Sequence, residues 1–485
     1  MTRQVRHFID GEFVDSASGA TFESISPIDN TVCAVVAEGG VEDADRAVAA
    51  ARRAFDKGPW PRMATAERKA ILHRVADGLE RRVGEIAEWE TRDMGKPIAE
   101  SRSKDVPRAA MNFRFFADYA NIAHDEAFHG PHGMFTYTRR EPAGVAALIA
   151  PWNFPLMLST WKAGPAMAFG CTAVLKPAEQ SPVSASLLAE VCAEAGVPEG
   201  VFNVVQGFGP EAAGERLTTS PDVDLICFTG ESATGQRIMA AAAPTLKKLS
   251  FELGGKSPNI VMADADLDRA VAGSIEASFR NQGEVCLAGS RLLVQRPVYD
   301  EFLARFVAAA EDMPIGNPLD PATRVGPLVS QEHMVKVLSY IEIGQNEGAK
   351  LLTGGRRVTD GELARGNYVA PTILADVDNS WRVSQEEIFG PVQVVMPFDT
   401  VDEAIALANG TRYGLAGVVW TSNLDTAHYV AAQVKCGTMW VNCWFMRDLR
   451  APFGGTKASG IGREGGRYSE ELFTEAKSVV TQLAR

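Results

Sequence analysis

The chain of 485 residues has no long apolar run, no paired-cysteine pattern and no excess of basic charge. Its most apolar stretch, AGVAALIAP at 143–151, is about half the length of a bilayer span and ends at Pro151, so no membrane-spanning helix is expected. The opening MTRQVRHFIDGEF lacks an apolar core, so no secretory leader is expected. Seven cysteines (33, 171, 192, 227, 286, 436 and 443) form an odd set without a CxxC pair. That pattern speaks against a disulfide framework or a zinc site and for a reducing compartment. Lys plus Arg number 48 against 61 for Asp plus Glu, a net charge of −13. An acidic chain gains nothing from the counterion release that drives polynucleotide binding. The expectation is a soluble cytoplasmic protein with no metal, nucleic-acid or membrane partner.

What is present is an ordinary globular composition, 46% hydrophobic and 22% charged, which excludes disorder as the main state. At about 100–200 residues per domain the length suggests roughly three domains. Val41, Ala44, Val48, Ala51 and Phe55 share one helical face, as do Ile71, Leu72, Val75, Leu79 and Val83. Short apolar runs follow at 143–150, 171–175, 201–205, 223–228 and 257–262, separated mostly by helical segments such as 181–195. A second set lies at 290–295, 392–396, 417–421 and 438–442, with helices expected at 297–312, 331–347, 400–409 and 423–435. Continuously apolar strands alternating with helices indicate parallel sheets covered on both faces, here two α/β units in series with a boundary near residue 255. The less regular stretch 121–140, with Tyr/Thr alternation from Phe135 to Thr138, reads as a hairpin, either projecting toward another subunit or lying on the surface.

Three residues stand in contexts suited to chemistry. Cys286, in FRNQGEVCLAGSR, follows Gly283 and polar neighbours that suit a tight turn or helix start, where backbone N–H groups lower a thiol pKa. Glu252, in LSFELGGKSP, stands beside two glycines after an apolar strand and is a candidate general base. Asn153, between the prolines of PWNFP, has an amide able to donate to a developing oxyanion, although an Asx turn explains it equally.

PWNFP at 151–155, the Lys176–Glu179 turn, FTGESATG at 228–235, ELGGKSP at 252–258, GEVC at 283–286, EEIFGP at 386–391 and PFGGTKASGIGRE at 452–464 together resemble the aldehyde dehydrogenase superfamily. Order and approximate spacing agree over nearly the whole chain. The resemblance implies that Cys286 attacks the aldehyde, that Asn153 and the Cys286 N–H hold the oxyanion, and that Glu252 activates the hydrolytic water. Glu464 matches a carboxylate used as a proton relay. It also implies an NAD site formed by Ala150, Trp152, Lys176, Glu179, Gly209, Gly230, Gly235, Glu387 and Phe389. A carboxylate at Glu179 favours a free ribose 2′-OH over a 2′-phosphate, and so NAD over NADP. Glu231 departs from the small hydroxyl residue common in the family and puts an acid near the pyrophosphate. A literal GxGxxG at Gly460, Gly462 and Gly465 follows no predicted strand and is set aside.

The resemblance further implies an aldehyde dehydrogenase-like α/β fold: an NAD-binding domain (1–119 and 143–254), a catalytic domain (255–453) and an oligomerisation arm (120–142 and 466–485), in a homodimer or homotetramer. NCWFMRDLRAPFGG at 442–455 and the IGREGG ending look like the dehydrogenases of muconic semialdehydes. These act on 2-hydroxy- or 2-aminomuconate 6-semialdehyde, or on the 5-carboxymethyl-2-hydroxy analogue. Such substrates carry a carboxylate far from the aldehyde, and Arg447 with Arg108 would bind it. Trp161, Trp444 and Phe445 would pack the diene, although core packing explains them about as well. A broader enzyme for betaine-like or aliphatic aldehydes is the alternative. The presence of Glu252 favours hydrolysis over transfer to a thiol such as coenzyme A, and Cys286 with Glu252 argues against a non-catalytic role.

Overall fold

The computed structural model describes residues 2–483. Two sheets carry the architecture. The first has eight strands in the spatial order Gly460–Ile461, Lys248–Glu252, Leu225–Thr229, Val145–Ile149, Thr172–Lys176, Phe202–Val204, His7–Ile9 and Glu12–Val14. Its five central strands run parallel, and the strands at both ends pair antiparallel. The second has seven, ordered Lys350–Thr353, Thr372–Ala375, Val392–Phe398, Arg291–Gln295, Pro258–Val261, Ala416–Trp420 and Thr438–Val441, parallel except at the first. Strands such as Leu225–Thr229 and Ala416–Trp420 are buried along their whole length, because helices cover both faces. That is why they read as unbroken apolar runs.

The apolar run expected at 257–262 becomes the strand Pro258–Val261 and belongs to the second sheet. Lys248–Glu252 escapes the apolar-run criterion because its sequence, KLSFE, alternates. The strand Gly460–Ile461 is set by pairing alone: Glu252 lies opposite Gly460, where a Cβ would come within 2.1 Å of the Phe251 carbonyl oxygen. The GxGxxG glycines therefore serve close backbone approach, and none of the three lines the large clefts described below.

Met134–Pro142 pairs antiparallel over nine positions with Thr474–Gln482 and also with Ala127–His129. The resulting three-stranded ribbon is largely solvent-facing, with Phe128 and Val480 exposed. The helix Val106–Ile122, which carries Arg108, is preceded by one wide turn at Ser101–Asp105, in which the Val106 N–H reaches back to the Ser101 carbonyl. Pro107 has no N–H to donate, so a turn widened just ahead of it leaves fewer groups unmatched. This helix packs against Pro155–Ala168. Among the described residues no helix is long and apolar enough to cross a membrane.

Candidate active site

Helix Leu267–Phe279 ends in a tight turn, Arg280–Gly283, in which Asn281 and Gln282 take φ of 49° and 45°. Gly283 follows at φ 74°, where a Cβ would lie 2.2 Å from the Gly390 carbonyl oxygen. The strained turn is tied down by Glu284, fully buried, whose carboxylate accepts from the Val329 N–H (3.0 Å) and the Gln282 amide (2.9 Å). Two residues on, Cys286 is partly exposed in a cleft that Asn153, Leu253, Gly254, Glu387 and Phe389 also line.

The environment of the thiol corrects the sequence expectation. The expected turn is present, with the Ala288 N–H closing on the Val285 carbonyl around Cys286 at 3.0 Å, but the thiol pKa is pushed up to about 12, chiefly by burial and then by the charges of Glu387 and Glu252. Arg447 opposes this without prevailing. A thiol is therefore the resting species, and losing its proton is part of the chemistry.

Asn153 is 2% exposed and donates through Nδ2 to the Glu284 carbonyl at 2.9 Å. Its own carbonyl accepts from Asn281 Nδ2 at 3.0 Å. Helix Pro155–Ala168 starts immediately after it, with Pro155 where no N–H is required and the Leu156 N–H capped by Glu90 Oε1 at 2.9 Å. One amide hydrogen of Asn153 is thus used on the cysteine loop, leaving the other for an incoming oxygen.

Glu252 ends its strand 4% exposed, and both its carboxylate oxygens are buried without a hydrogen-bond partner. Burial first, and the charge of Glu464 second, hold its carboxyl well above the usual carboxylate range. Glu464 pairs with Phe453 through its backbone, each N–H donating to the other's carbonyl at 2.8 Å. Its Oε1 lies 3.2 Å from Lys162 Nζ and 3.0 Å from Cys227 Sγ, and its Oε2 is buried without a partner. Sequence reasoning missed Lys162 and Cys227. The lysine had a legible signal, a lone charge in the apolar helix PLMLSTWKAGPAMA. The cysteine had none.

Two neighbouring clefts, about 690 and 630 Å³, share Pro151, Trp152, Thr229, Gly230 and Glu231. The first reaches Cys286, Glu387 and Phe389; the second reaches Ala150, Lys176, Glu179 and Gly209. Lys176 Nζ sits 3.5 Å from Glu179 Oε2, and burial lowers its pKa. Glu387 accepts from the Gly255 N–H at 2.9 Å, and burial raises its pKa to about 7. Phe389 takes φ 62° and packs edge-on against Trp152, while its carbonyl lies 2.7 Å from His333 Nε2. Thr229 Oγ1 is buried without a partner where the clefts meet, and helix Ser232–Ala242 starts beside it. An elongated double cleft ending at the Cys286 thiol, with a helix N-terminus midway, suits a dinucleotide whose pyrophosphate lies over that terminus. Gly235 lines neither cleft; a Cβ there would meet the Leu253 side chain at 2.8 Å, so its role is helix–strand packing. Glu231 precedes that helix, is exposed, and makes no capping bond with its side chain.

Arg108 and Arg447 converge on Trp161. Their guanidinium carbons lie 5.7 and 4.8 Å from its ring, and Arg447 also covers Phe453 at 3.5 Å. Among the described residues neither arginine has a carboxylate within ion-pair distance; Arg108 donates to Asn112 Oδ1 at 3.1 Å, and Arg447 Nη2 is buried without a partner. Burial and the charge of Arg108 bring the Arg447 pKa down to about 10. Trp444 and Phe445 lie tilted at 32° with ring centroids 5.0 Å apart, and Phe445 stacks on Phe154 and carries the Arg280 guanidinium.

Fold and site together define a family. The chain belongs to the aldehyde dehydrogenase family, whose model matches residues 13–479. It is 50% identical over 486 residues to a 2-hydroxymuconic semialdehyde dehydrogenase of Pseudomonas sp. (strain CF600), covering 99% of this chain and 100% of that one. It is 44% identical to a 2-aminomuconic 6-semialdehyde dehydrogenase of Pseudomonas sp, covering 99% and 98%. Among solved structures, an indole-3-acetaldehyde dehydrogenase from P. syringae in complex with NAD+ superposes with a TM-score of 0.97 at 46% identity, covering 100% of this chain and 97% of that one.

Proposed function

We propose that this NAD-dependent aldehyde dehydrogenase oxidises a muconic semialdehyde bearing a carboxylate remote from the aldehyde, of the 2-hydroxy- or 2-aminomuconate 6-semialdehyde kind. The observation that carries the reading is the unpaired arginine couple. Arg447 and Arg108 stand together on the Trp161 ring without a carboxylate, outside the linings of the two large clefts, and burial first and the charge of Arg108 second lower the Arg447 pKa. Like charges held together in a buried place call for an anion, and a guanidinium fork suits a carboxylate. Arg447 is also close enough to Cys286 for each to influence the other's proton affinity. A cationic, betaine-like aldehyde would be repelled there. The kinship with the two muconic semialdehyde dehydrogenases supports the same substrate class.

In this reading the Cys286 sulfur attacks the aldehyde carbon as its proton passes to water in the cleft. Asn153 Nδ2 and the Cys286 N–H donate to the oxyanion of the thiohemiacetal, a charge that the free aldehyde lacks. Ala150, Trp152, Lys176, Glu179, Gly209, Gly230, Glu387 and Phe389 hold NAD, which supplies the hydride acceptor. Gly235 keeps the underlying helix close to its strand. Glu252 then takes a proton from the water that hydrolyses the thioester, and Glu464 relays that proton onward. We further read 1–119 with 143–254 as the NAD-binding domain and 255–453 as the catalytic domain. The arm of 120–142 with 466–485, of which 484–485 lie outside the described residues, we read as the surface through which two copies associate.

The deciding experiment is NADH production with 2-hydroxymuconate semialdehyde beside an uncharged aldehyde of similar length. At least tenfold higher kcat/KM for the semialdehyde is expected; equal or lower values would overturn the carboxylate reading and leave the family assignment standing. Arg447→Ala should raise KM selectively. A charge-assisted buried contact is worth about 1.5–3 kcal/mol, or roughly 10- to 150-fold, for the carboxylated substrate. The uncharged aldehyde should be nearly unaffected, and equal losses on both would count against the clamp.

A further inference from the structure

Cys227 has no part in the reaction sequence above, yet it touches the carboxylate behind the deacylation base. It is the central residue of strand Leu225–Thr229 and fully buried. Its Sγ lies 3.0 Å from Glu464 Oε1 and 3.4 Å from Lys162 Nζ, and the same lysine lies 3.2 Å from that oxygen. The polarity of this triangle is forced. An ammonium has no lone pair, so Lys162 donates to both partners, and the single thiol hydrogen goes to Glu464 Oε1. Oε1 thus accepts two hydrogen bonds while Oε2 accepts none.

We propose that Cys227 is a positioning residue for deacylation: with Lys162 it pins Glu464 Oε1, so that the proton coming from Glu252 is taken on Oε2. The proposal rests on the reading of Glu252 as the base. When water attacks the thioester, one water O–H bond breaks, a C–O bond forms and the proton passes to Glu252. As the tetrahedral adduct collapses, the C–S bond breaks and sulfur leaves as the Cys286 thiolate. Glu252 then yields its proton to Glu464 Oε2, Glu464 releases it to water so that both carboxylates are ready for the next turnover, and the Cys286 thiolate takes a proton from water to restore the resting thiol. A carboxylate proton settles on the oxygen with fewer competing donors, and two donors on Oε1 leave Oε2 as that oxygen. The thiol itself does not ionise: burial first, then the Glu464 charge, hold it well above its ordinary range. The other charges acting here are Glu252 on its strand and Arg447 and Arg463 on the C-terminal segment.

The test compares Cys227→Ala with Cys227→Ser by following single-turnover hydride transfer and then deacylation across pH. Loss of the donor destabilises the ionised Glu464 carboxylate. With less negative charge on Glu464 the Glu252 carboxyl is held up less, so the acidic limb of the deacylation rate should move to lower pH in Cys227→Ala by about 0.5–1 unit. The NADH burst should keep its amplitude. Cys227→Ser, which keeps a donor, should restore the wild-type limb. A limb that stays put in Cys227→Ala, or moves equally in both variants, overturns the proposal even if melting temperatures fall, because a packing role lowers stability without moving the limb. Cys227→Val, with similar volume and no donor, serves the same comparison should the alanine variant fold poorly. Wild-type deacylation in Glu252→Ala would refute the base assignment and this proposal together. A stalled Glu252→Ala with an unmoved Cys227→Ala limb refutes the proposal alone.

Discussion

Replacing Cys286 by alanine should abolish NADH formation from every aldehyde, with a loss on the order of 10⁵–10⁶-fold, the scale seen when a covalent nucleophile is deleted. The size follows from the chemistry. An aldehyde carbon gives up hydride only after a nucleophile has made it tetrahedral and put negative charge on oxygen, and no other side chain lining the cleft is a comparable nucleophile. Cys286→Ala should keep its fold and its affinity for NAD, measurable by melting temperature and by cofactor titration. Appreciable turnover in that variant would remove Cys286 as the nucleophile. The raised thiol pKa of about 12 adds a signed prediction. The reactive thiolate is the deprotonated form, so at neutral pH well under one site in a thousand carries it. Alkylation of the resting enzyme by iodoacetamide should therefore rise almost tenfold per pH unit up to about pH 10. A plateau near neutral pH would show that the protein holds this sulfur as a thiolate.

Glu252→Ala should divide the reaction at the thioester. Hydride transfer needs no base once the sulfur has attacked, so a burst of one NADH per site is expected, followed by a stall. Mass spectrometry should find the acyl group on Cys286. Steady-state turnover should fall about 10²–10⁴-fold, the range for a positioned general base. Steady turnover at the wild-type rate would refute the role. The wild-type pH profile carries a second check. Only ionised Glu252 accepts a proton from water, and burial with the neighbouring Glu464 raises its pKa well above the carboxylate range. The sign follows: lowering the pH removes the base, and deacylation should climb from neutral toward alkaline pH instead of levelling off near pH 5. Glu252→Gln should lose that climb.

Much of the fold was legible where local sequence and tertiary environment agree. The runs 171–175, 223–228 and 417–421 fall on strands buried along their length, so apolar composition announced them, and they appear, shifted by one or two residues, as Thr172–Lys176, Leu225–Thr229 and Ala416–Trp420. The helix at 331–347 matches its expected span, helped by the Ser330 side chain accepting from the His333 N–H. Lys248–Glu252 was missed because three of its five residues are polar, Glu252 among them. Gly460–Ile461 was missed because two residues carry no periodicity. The thiol was misjudged for a related reason: polar neighbours in sequence suggested an N–H-rich turn, whereas in space Cys286 is governed by burial and two carboxylates.

The sequence by itself determined the class of protein, since PWNFP, ELGGKSP and GEVC are local motifs whose glycines, prolines and reactive groups lie within a few residues of one another. Only the tertiary structure decided which groups act on each other. Glu464 meets Cys227 across 237 residues and Lys162 across 302. Arg108 meets Arg447 over Trp161 because the helix Val106–Ile122 packs on Pro155–Ala168 and the C-terminal segment folds back beside it. Such meetings depend on strand pairing and helix packing, and the proton affinities depend on burial. Neither is a property of neighbouring residues in the chain, so the charge state of Cys286, the isolation of Glu252 and the unpaired arginines became visible only in three dimensions.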